Sequence, residues 1–398
     1  MVLGNLLAVL AGLLAVPVMM LLVEVLASLA IFRDQLAEHR GVGNATSAAV
    51  VVPAHNESSG LLPTLGDLMP QLGPRDRLIV VADNCSDDTA AMATAAGAEV
   101  IERNDLSRIG KGYALAHALA HLRQDPPDMV LFVDADCRVQ GDMLVRLKDA
   151  CAYASRPVQA CFLMTAPEKS SVDHRPAEFF WLIRNWVRPL GLCGLGLPVQ
   201  LMGTGMMFPW RLIRDLRMDG NLVEDLKLGL DAAALGFPPC FYPSVVGTSE
   251  FPETQGGTET QRQRWIQGHL QMILRHLPRY FLRALVTRNL GLLVLVLDMT
   301  VPPFSLLVLL IVLLLFATLA WFLIAGTAVP LILSLINCTA IVFAVLLAWM
   351  RYGQQIISLR ELAGLAASLP SKVSYYGRVY FGRKVASWIR TDRTKVDQ

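Results

Sequence analysis

The chain has 398 residues, 54% of them hydrophobic and 17% charged, which leaves room for two domains or for one large soluble domain plus a membrane part. A composition this apolar argues against an ordinary soluble enzyme and for surface that faces lipid. The net charge is only +2, and no long basic stripe with interleaved aromatics precedes the C-terminal tail, so no nucleic-acid partner is expected.

The first element is the run Leu6 to Phe32, nearly all apolar, with Glu24 its only charge. It is long enough to cross about 30 Å of hydrocarbon at 1.5 Å per residue. No basic stretch precedes it and it is long for a signal core, so residues 1–33 read as a retained anchor rather than a cleaved leader.

From residue 46 to about 280 the composition is that of a soluble α/β domain. Strands are expected at Ala49 to Pro53, Arg77 to Ala82, Glu99 to Glu102 and Met129 to Asp134, each bounded by Gly, Pro, Asn or Asp. The segments between them are long enough to be crossover helices of a parallel sheet. Such sheets bind ligands at the carboxyl ends of their strands. The seven cysteines are scattered and never closely paired, which fits reduced thiols and argues against a structural zinc site.

A second apolar region spans residues 289–351. Pro302 and Pro303 divide it into a short helix, Leu290 to Val301, and two full-length spans, Phe304 to Ala325 and Leu331 to Met350, joined by a turn at Gly326 to Val329. Arg33 and Arg40 follow the first span, and Arg275, Arg279, Arg283 and Arg288 precede the later ones, so the central domain is expected to face the cytoplasm from the inner membrane. The tail, 352–398, mixes Arg378, Arg383, Lys384, Arg390 and Arg393 with Tyr375, Tyr376, Tyr380, Phe381 and Trp388, a composition suited to an amphipathic helix on anionic membrane lipid.

Five places in the central domain can carry chemistry. The first expected strand ends in Pro53-Ala54-His55-Asn56-Glu57, polar at its carboxyl end. Asp83 ends the second, placed to meet a ligand, while Asp87 and Asp88 read as caps for the helix that follows. Asp134 and Asp136 follow a buried strand, where such carboxylates hold Mg²⁺ or Mn²⁺; a solvated turn is the competing reading of the pair alone. Glu224-Asp225 opens a helical run after Asn221, either as a cap or as a general base for an acceptor hydroxyl. Gln261 with Arg264-Trp265 joins a permanent cation to an aromatic face, suiting a diphosphate and a sugar ring, or else an amphipathic helix at a membrane. Lys111, flanked by Gly110 and Gly112, is a further candidate phosphate contact, though its surroundings lack the pattern of a P-loop.

Taken in this order, from Val50 to about His269, these residues resemble the family 2 glycosyltransferases of the cellulose, chitin and hyaluronan synthase type. The resemblance implies an α/β fold of the GT-A, Rossmann-like kind and an inverting displacement at the anomeric carbon. It makes Asp225, in its pair with Glu224, the catalytic base, and Asp136 with Asp134 the holders of Mg²⁺ or Mn²⁺. Glu57, Asp83, Lys111, Asp134 and Arg264 become contacts to the nucleotide sugar. Trp265, Gln261 and the Gly203-Thr204-Gly205 loop fall on the acceptor side. Two departures from the family pattern, Val223 before the acidic pair and Ala82 before Asp83, leave every catalytic group in place. The resulting expectation is transfer of a hexose or N-acetylhexosamine from a nucleotide diphosphate sugar, a UDP-sugar first, to a growing saccharide or lipid-linked acceptor. Partner proteins would serve polymer export, since the spans are fewer than in the large secreting synthases. The alternative is a sugar-nucleotide-binding subunit that has lost catalysis.

Overall fold

The computed structural model describes residues 2–29, 36, 41, 43, 45–167, 170, 172–218 and 223–381. Arg33, Arg40, Asn221, Arg383, Lys384, Trp388, Arg390 and Arg393 lie outside the described residues.

The central domain is built on one eight-stranded sheet. In chain order its strands are β1 (Ala48–Ala54), β2 (Arg77–Asp83), β3 (Glu99–Arg103), β4 (Met129–Phe132), β5 (Arg138–Val139), β6 (Val158–Thr165), β7 (Met206–Pro209) and β8 (Cys240–Glu250). Their spatial order is β3-β2-β1-β4-β7-β6-β8-β5. The four strands expected from the sequence are β1 to β4, and they pair in parallel as a half-sheet. Beyond β4 the parallel expectation gives way, because β7 runs antiparallel to both β4 and β6. β4 also stops at Phe132, short of Asp134, since the chain turns out of the ladder there.

Both faces of the sheet are covered. In β1, Ala48, Val50, Val52 and Ala54 enter one core and Ala49 and Val51 the other. An unbroken apolar run in place of alternation is what such a strand requires.

Among the described residues, three helices are long and apolar enough to cross a membrane: Val2–Ser28, Phe304–Ala325 and Val329–Gly353. A shorter apolar helix, Leu290–Met299, precedes the second. Glu24, the lone charge of the first run, is fully buried and ion-paired to Arg188 at 2.5 Å, and Arg188 is also paired to Asp298. These carboxyl groups are tolerable in so apolar a setting only because a guanidinium meets them. One turn further on, Gly191 lets the two backbones touch, for a Cβ there would lie 1.9 Å from the Glu24 carbonyl oxygen.

Candidate active site

β1, β2 and β4 are neighbours, so their carboxyl ends open on one edge of the sheet, where the topology of a doubly wound sheet puts its ligand. Asp134 and Asp136 leave β4 there on a loop held from below by Thr64, whose hydroxyl donates to the carbonyls of Ala135 and Cys137 at 2.7 Å each. From the side the loop meets the segment 202–205, in which the Thr204 hydroxyl oxygen accepts from the Asp134 amide at 3.0 Å. Gln159 fixes that segment in turn: its amide nitrogen donates to the Thr204 carbonyl at 2.8 Å, and its oxygen accepts from the Met202 amide at 2.8 Å. Gly203 sits at φ +88°, the left-handed conformation that favours glycine.

Lys111, at the start of the helix Lys111–Leu122, is the hub of the cluster. Its ammonium pairs with Asp134, lies 3.9 Å from Glu224 and donates to the Gly203 carbonyl at 2.8 Å. A Cβ at position 203 would lie 3.5 Å from Asp225 Oδ2 and 3.6 Å from Lys111 Nζ, so the second carboxylate of the acidic pair faces the same spot. Glu224 and Asp225 open the helix Glu224–Ala234, where Asp225 takes a hydrogen bond from the Leu226 amide and Glu224 approaches the Lys111 ammonium.

The charges are strained accordingly. Burial opposes the Lys111 charge, yet Asp134, Glu224 and Asp225 together hold the ammonium above its ordinary range. Burial lifts the Asp134 carboxyl, against the pull of Lys111 and with the help of Asp136. Burial likewise raises Glu224 to about 7, with Lys111 opposing and Asp225 adding to the rise. Asp225 is raised by burial too, while Lys111, the Leu226 amide and Arg184 pull it back. Arg264 is depressed by burial and restrained by Glu224, Asp134 and Asp136, which places it within their electrostatic reach. Trp265 packs against Trp181 with ring centroids 4.7 Å apart and ring planes tilted by 39°, and Gln261 is buried in the same helix, Gln255–Gln271.

The residues read from the sequence therefore fall into two groups. Lys111, Asp134, Asp136, Gly203, Thr204, Glu224, Asp225 and Arg264 come together. Glu57 and Asp83 stand beside them at the ends of β1 and β2. Asp83 does not present an open carboxylate as expected: it is fully buried and paired to Arg103 at 2.5 Å, its register partner on β3. Glu57 starts the turn after β1, its amide donating to the Thr89 hydroxyl at 2.9 Å. Of the expected caps, Asp87 accepts from the Thr89 amide at 3.1 Å, whereas Asp88 accepts from the Ser58 hydroxyl. Gln159, Arg103 and Arg184 were not singled out from the sequence, because each acts through a partner distant along the chain.

For a divalent cation the donor set is suitable. The ligand atoms of Asp134, Asp136 and Cys137 lie within 4.8 Å of one another. Burial, then Asp136 and Asp134, hold the Cys137 thiol well above its usual range, so the two carboxylates are the hard oxygen donors that Mg²⁺ or Mn²⁺ prefers.

An acidic cluster thus stands at the carboxyl ends of the parallel strands of a GT-A-like sheet. The chain belongs to the family described as glycosyltransferase-like family 2, whose model matches residues 45–268. It is similar to a probable glycosyltransferase of Bacillus subtilis (strain 168), 24% identical over 58% of this chain and 57% of the relative. It is also similar to an N-acetylglucosaminyltransferase of Rhizobium leguminosarum bv. viciae, 24% identical over 63% of this chain and 64% of the relative. The chain thus spans about six-tenths of the length of these relatives. In fold it resembles a mannosyltransferase from Pyrobaculum calidifontis solved with GDP-Man and Mn²⁺, at TM-score 0.54 and 15% identity, covering 95% of this chain and 100% of that one.

Proposed function

We propose that the chain is a membrane-bound inverting glycosyltransferase that moves a hexose or N-acetylhexosamine from a nucleotide diphosphate sugar, a UDP-sugar first, to a saccharide or lipid-linked acceptor. The observation that carries the reading is the sharing of one lysine, Lys111, by Asp134, Glu224 and Asp225, with Arg264 in electrostatic reach. A pure binding subunit has no need of buried carboxylates held at raised affinity for protons.

In this reading Asp225 takes the proton of an acceptor hydroxyl while that oxygen bonds to the anomeric carbon. The bond from this carbon to the diphosphate oxygen breaks, and the nucleoside diphosphate leaves with the electron pair. Asp134 and Asp136 would hold Mg²⁺ or Mn²⁺, whose charge offsets that of the leaving diphosphate. Arg264 and Lys111 add fixed positive charge on the same side. Glu57 and the Asp83–Arg103 pair flank the nucleoside, and Trp265 with Gln261 forms the acceptor side. The Mn²⁺ and sugar nucleotide in the mannosyltransferase, and the name of the Rhizobium relative, support the metal and the N-acetylhexosamine option.

In this reading residues 46–280 form the catalytic domain, 1–33 an anchor and 289–351 further spans. Arg275, Arg279, Arg283 and Arg288 favour placing the domain on the cytoplasmic face of the inner membrane. Transfer from labelled donors by purified membranes, with and without Mn²⁺, tests the proposal. Asp225→Asn and Asp136→Asn are each expected to lose at least about 100-fold in rate; full activity in both variants would defeat it.

A further inference from the structure

On the side of Asp225 turned toward the apolar helices lies a second cavity, lined among others by Arg184, Gln200, Met202, Leu226, His269 and Asp298. Met202 and Leu226 are the chain neighbours of Gly203 and Asp225, so the cavity adjoins the acidic cluster, and Arg184 feels the Asp225 charge directly. None of the sequence motifs points to this space.

Its polar groups are unusual in what they lack. The Gln200 amide nitrogen donates to the Leu295 carbonyl at 2.7 Å, which fixes the amide orientation and leaves Oε1 as a buried acceptor with no partner. The His269 ring hydrogen-bonds the Val301 backbone, and its Nε2 is buried without a partner. Burial and the nearby Arg184 and Arg188 push His269 down to about 3, so the ring is neutral and Nε2 carries a lone pair. The guanidinium of Arg184 lies 5.4 Å over the Trp181 ring and, among the described residues, has neither a hydrogen bond nor an ion pair. Two buried acceptors therefore stand unanswered beside the exposed Arg184 guanidinium, and buried polar groups in that condition call for a partner.

The charges decide which partner. Arg188 is engaged by Glu24 and Asp298, and Arg184 faces Asp225, so two guanidinium groups meet three carboxyl groups. Carboxyl groups outnumber the guanidinium groups here, and the orphaned acceptors Gln200 Oε1 and His269 Nε2 would repel the oxygens of a phosphate. A neutral, hydroxyl-bearing group satisfies all three, since each hydroxyl both donates and accepts.

We infer that this cavity is a subsite for a neutral saccharide acceptor, whose hydroxyls donate to Gln200 Oε1 and His269 Nε2 and accept from Arg184. The inference rests on the transferase reading of the adjoining cluster and narrows its acceptor from saccharide or lipid phosphate to saccharide. The tilted Trp181–Trp265 pair, with Arg184 over the Trp181 ring, supplies an aromatic surface beside it.

The full-length protein in detergent is titrated with neutral gluco- and N-acetylglucosamine oligosaccharides and, separately, with farnesyl phosphate, reading tryptophan fluorescence. Saturable saccharide binding is expected, weakened about tenfold in Gln200→Leu and in His269→Phe, the loss of one hydrogen bond each. His269→Gln, which restores an acceptor oxygen, is expected to regain most of the affinity even if the phenylalanine variant folds poorly. No saturable saccharide binding, equal binding by wild type and all variants, or saturable binding of farnesyl phosphate alone would overturn the subsite. Mn²⁺-dependent nucleotide release from UDP-sugars is read on the same wild-type sample. Saccharide binding without nucleotide release sinks the enzyme reading and leaves the subsite, while release without saccharide binding does the reverse.

Discussion

Asp83 and Arg103 stand side by side on the parallel strands β2 and β3, and the guanidinium holds the carboxylate at 2.5 Å with side-chain exposures of 9% for Arg103 and 0% for Asp83. Arg103 also donates to the Arg108 carbonyl at 2.7 Å and lies over the Tyr113 ring at 5.5 Å, so one side chain organises the whole tip of β2. Arg103→Met would leave the buried carboxylate without a counter-charge, with only the Asn84 amide donating to it at 3.2 Å, and is expected to lower stability by about 3–5 kcal/mol. Thermal unfolding of the solubilised protein reads this directly. An unchanged melting temperature would show that the pair has no structural weight.

Glu224 titrates at about 7 in the folded protein, against 4.5 for an ordinary glutamate. The folded state therefore binds this proton more tightly than the unfolded one. Its stabilising contribution is complete below about pH 4.5 and is lost as the pH rises through about 7. The melting temperature of the wild type should fall across that window relative to Glu224→Gln, in which the titration is absent. Parallel curves for the two proteins would refute the assignment.

Lys111 lowers the proton affinity of Asp134, Glu224 and Asp225 alike. Removing its charge in Lys111→Met lets all three rise further, so Asp225, the proposed base, is protonated up to a higher pH. The acid limb of the pH–rate profile should move upward, and the rate at neutral pH should fall by about 100-fold. A slower enzyme whose acid limb stays in place would mean that Lys111 works only on the leaving group.

Gly203 presses its backbone between Lys111 and Asp225. Gly203→Ala adds a methyl group to that gap at φ +88°, at a cost of about 1–2 kcal/mol in stability. It should also displace Asp225, with a loss of activity larger than the stability change accounts for. Wild-type turnover by a stably folded alanine variant would remove this loop from the site.

The parallel half of the sheet was legible because β1, β2 and β4 are short, largely apolar runs followed by polar residues at the ligand edge, as Ala82-Asp83 and Val133-Asp134 show, while β3 is marked by Val100 and Ile101 between charged residues. β5 to β8 were not. Met206–Pro209 is four residues long and buried on both sides, Val158–Thr165 reads equally well as a buried helix, and β8 carries Pro243 and Ser244 in its middle. The acidic cluster could be anticipated from motifs at their spacing, whereas Gln159 could not, since it serves the site through the backbone of Thr204 and Met202. Asp83 shows the limit in the other direction. Its position at a strand end was visible, but the arginine that seals it comes from a strand 20 residues away, and nothing local announces the pairing.

The missing side chain at residue 191 has a mechanical consequence. The first apolar helix lies directly on the backbone of Gly191, in the segment that also carries Arg184 and Arg188, and Glu24 clasps the latter, so helix and cavity wall are in direct contact. A tilt of that helix in a thicker or thinner bilayer would be transmitted to the cavity wall as a rigid lever transmits a turn. Turnover in vesicles should then depend on acyl-chain length even when the donor and its metal are saturating.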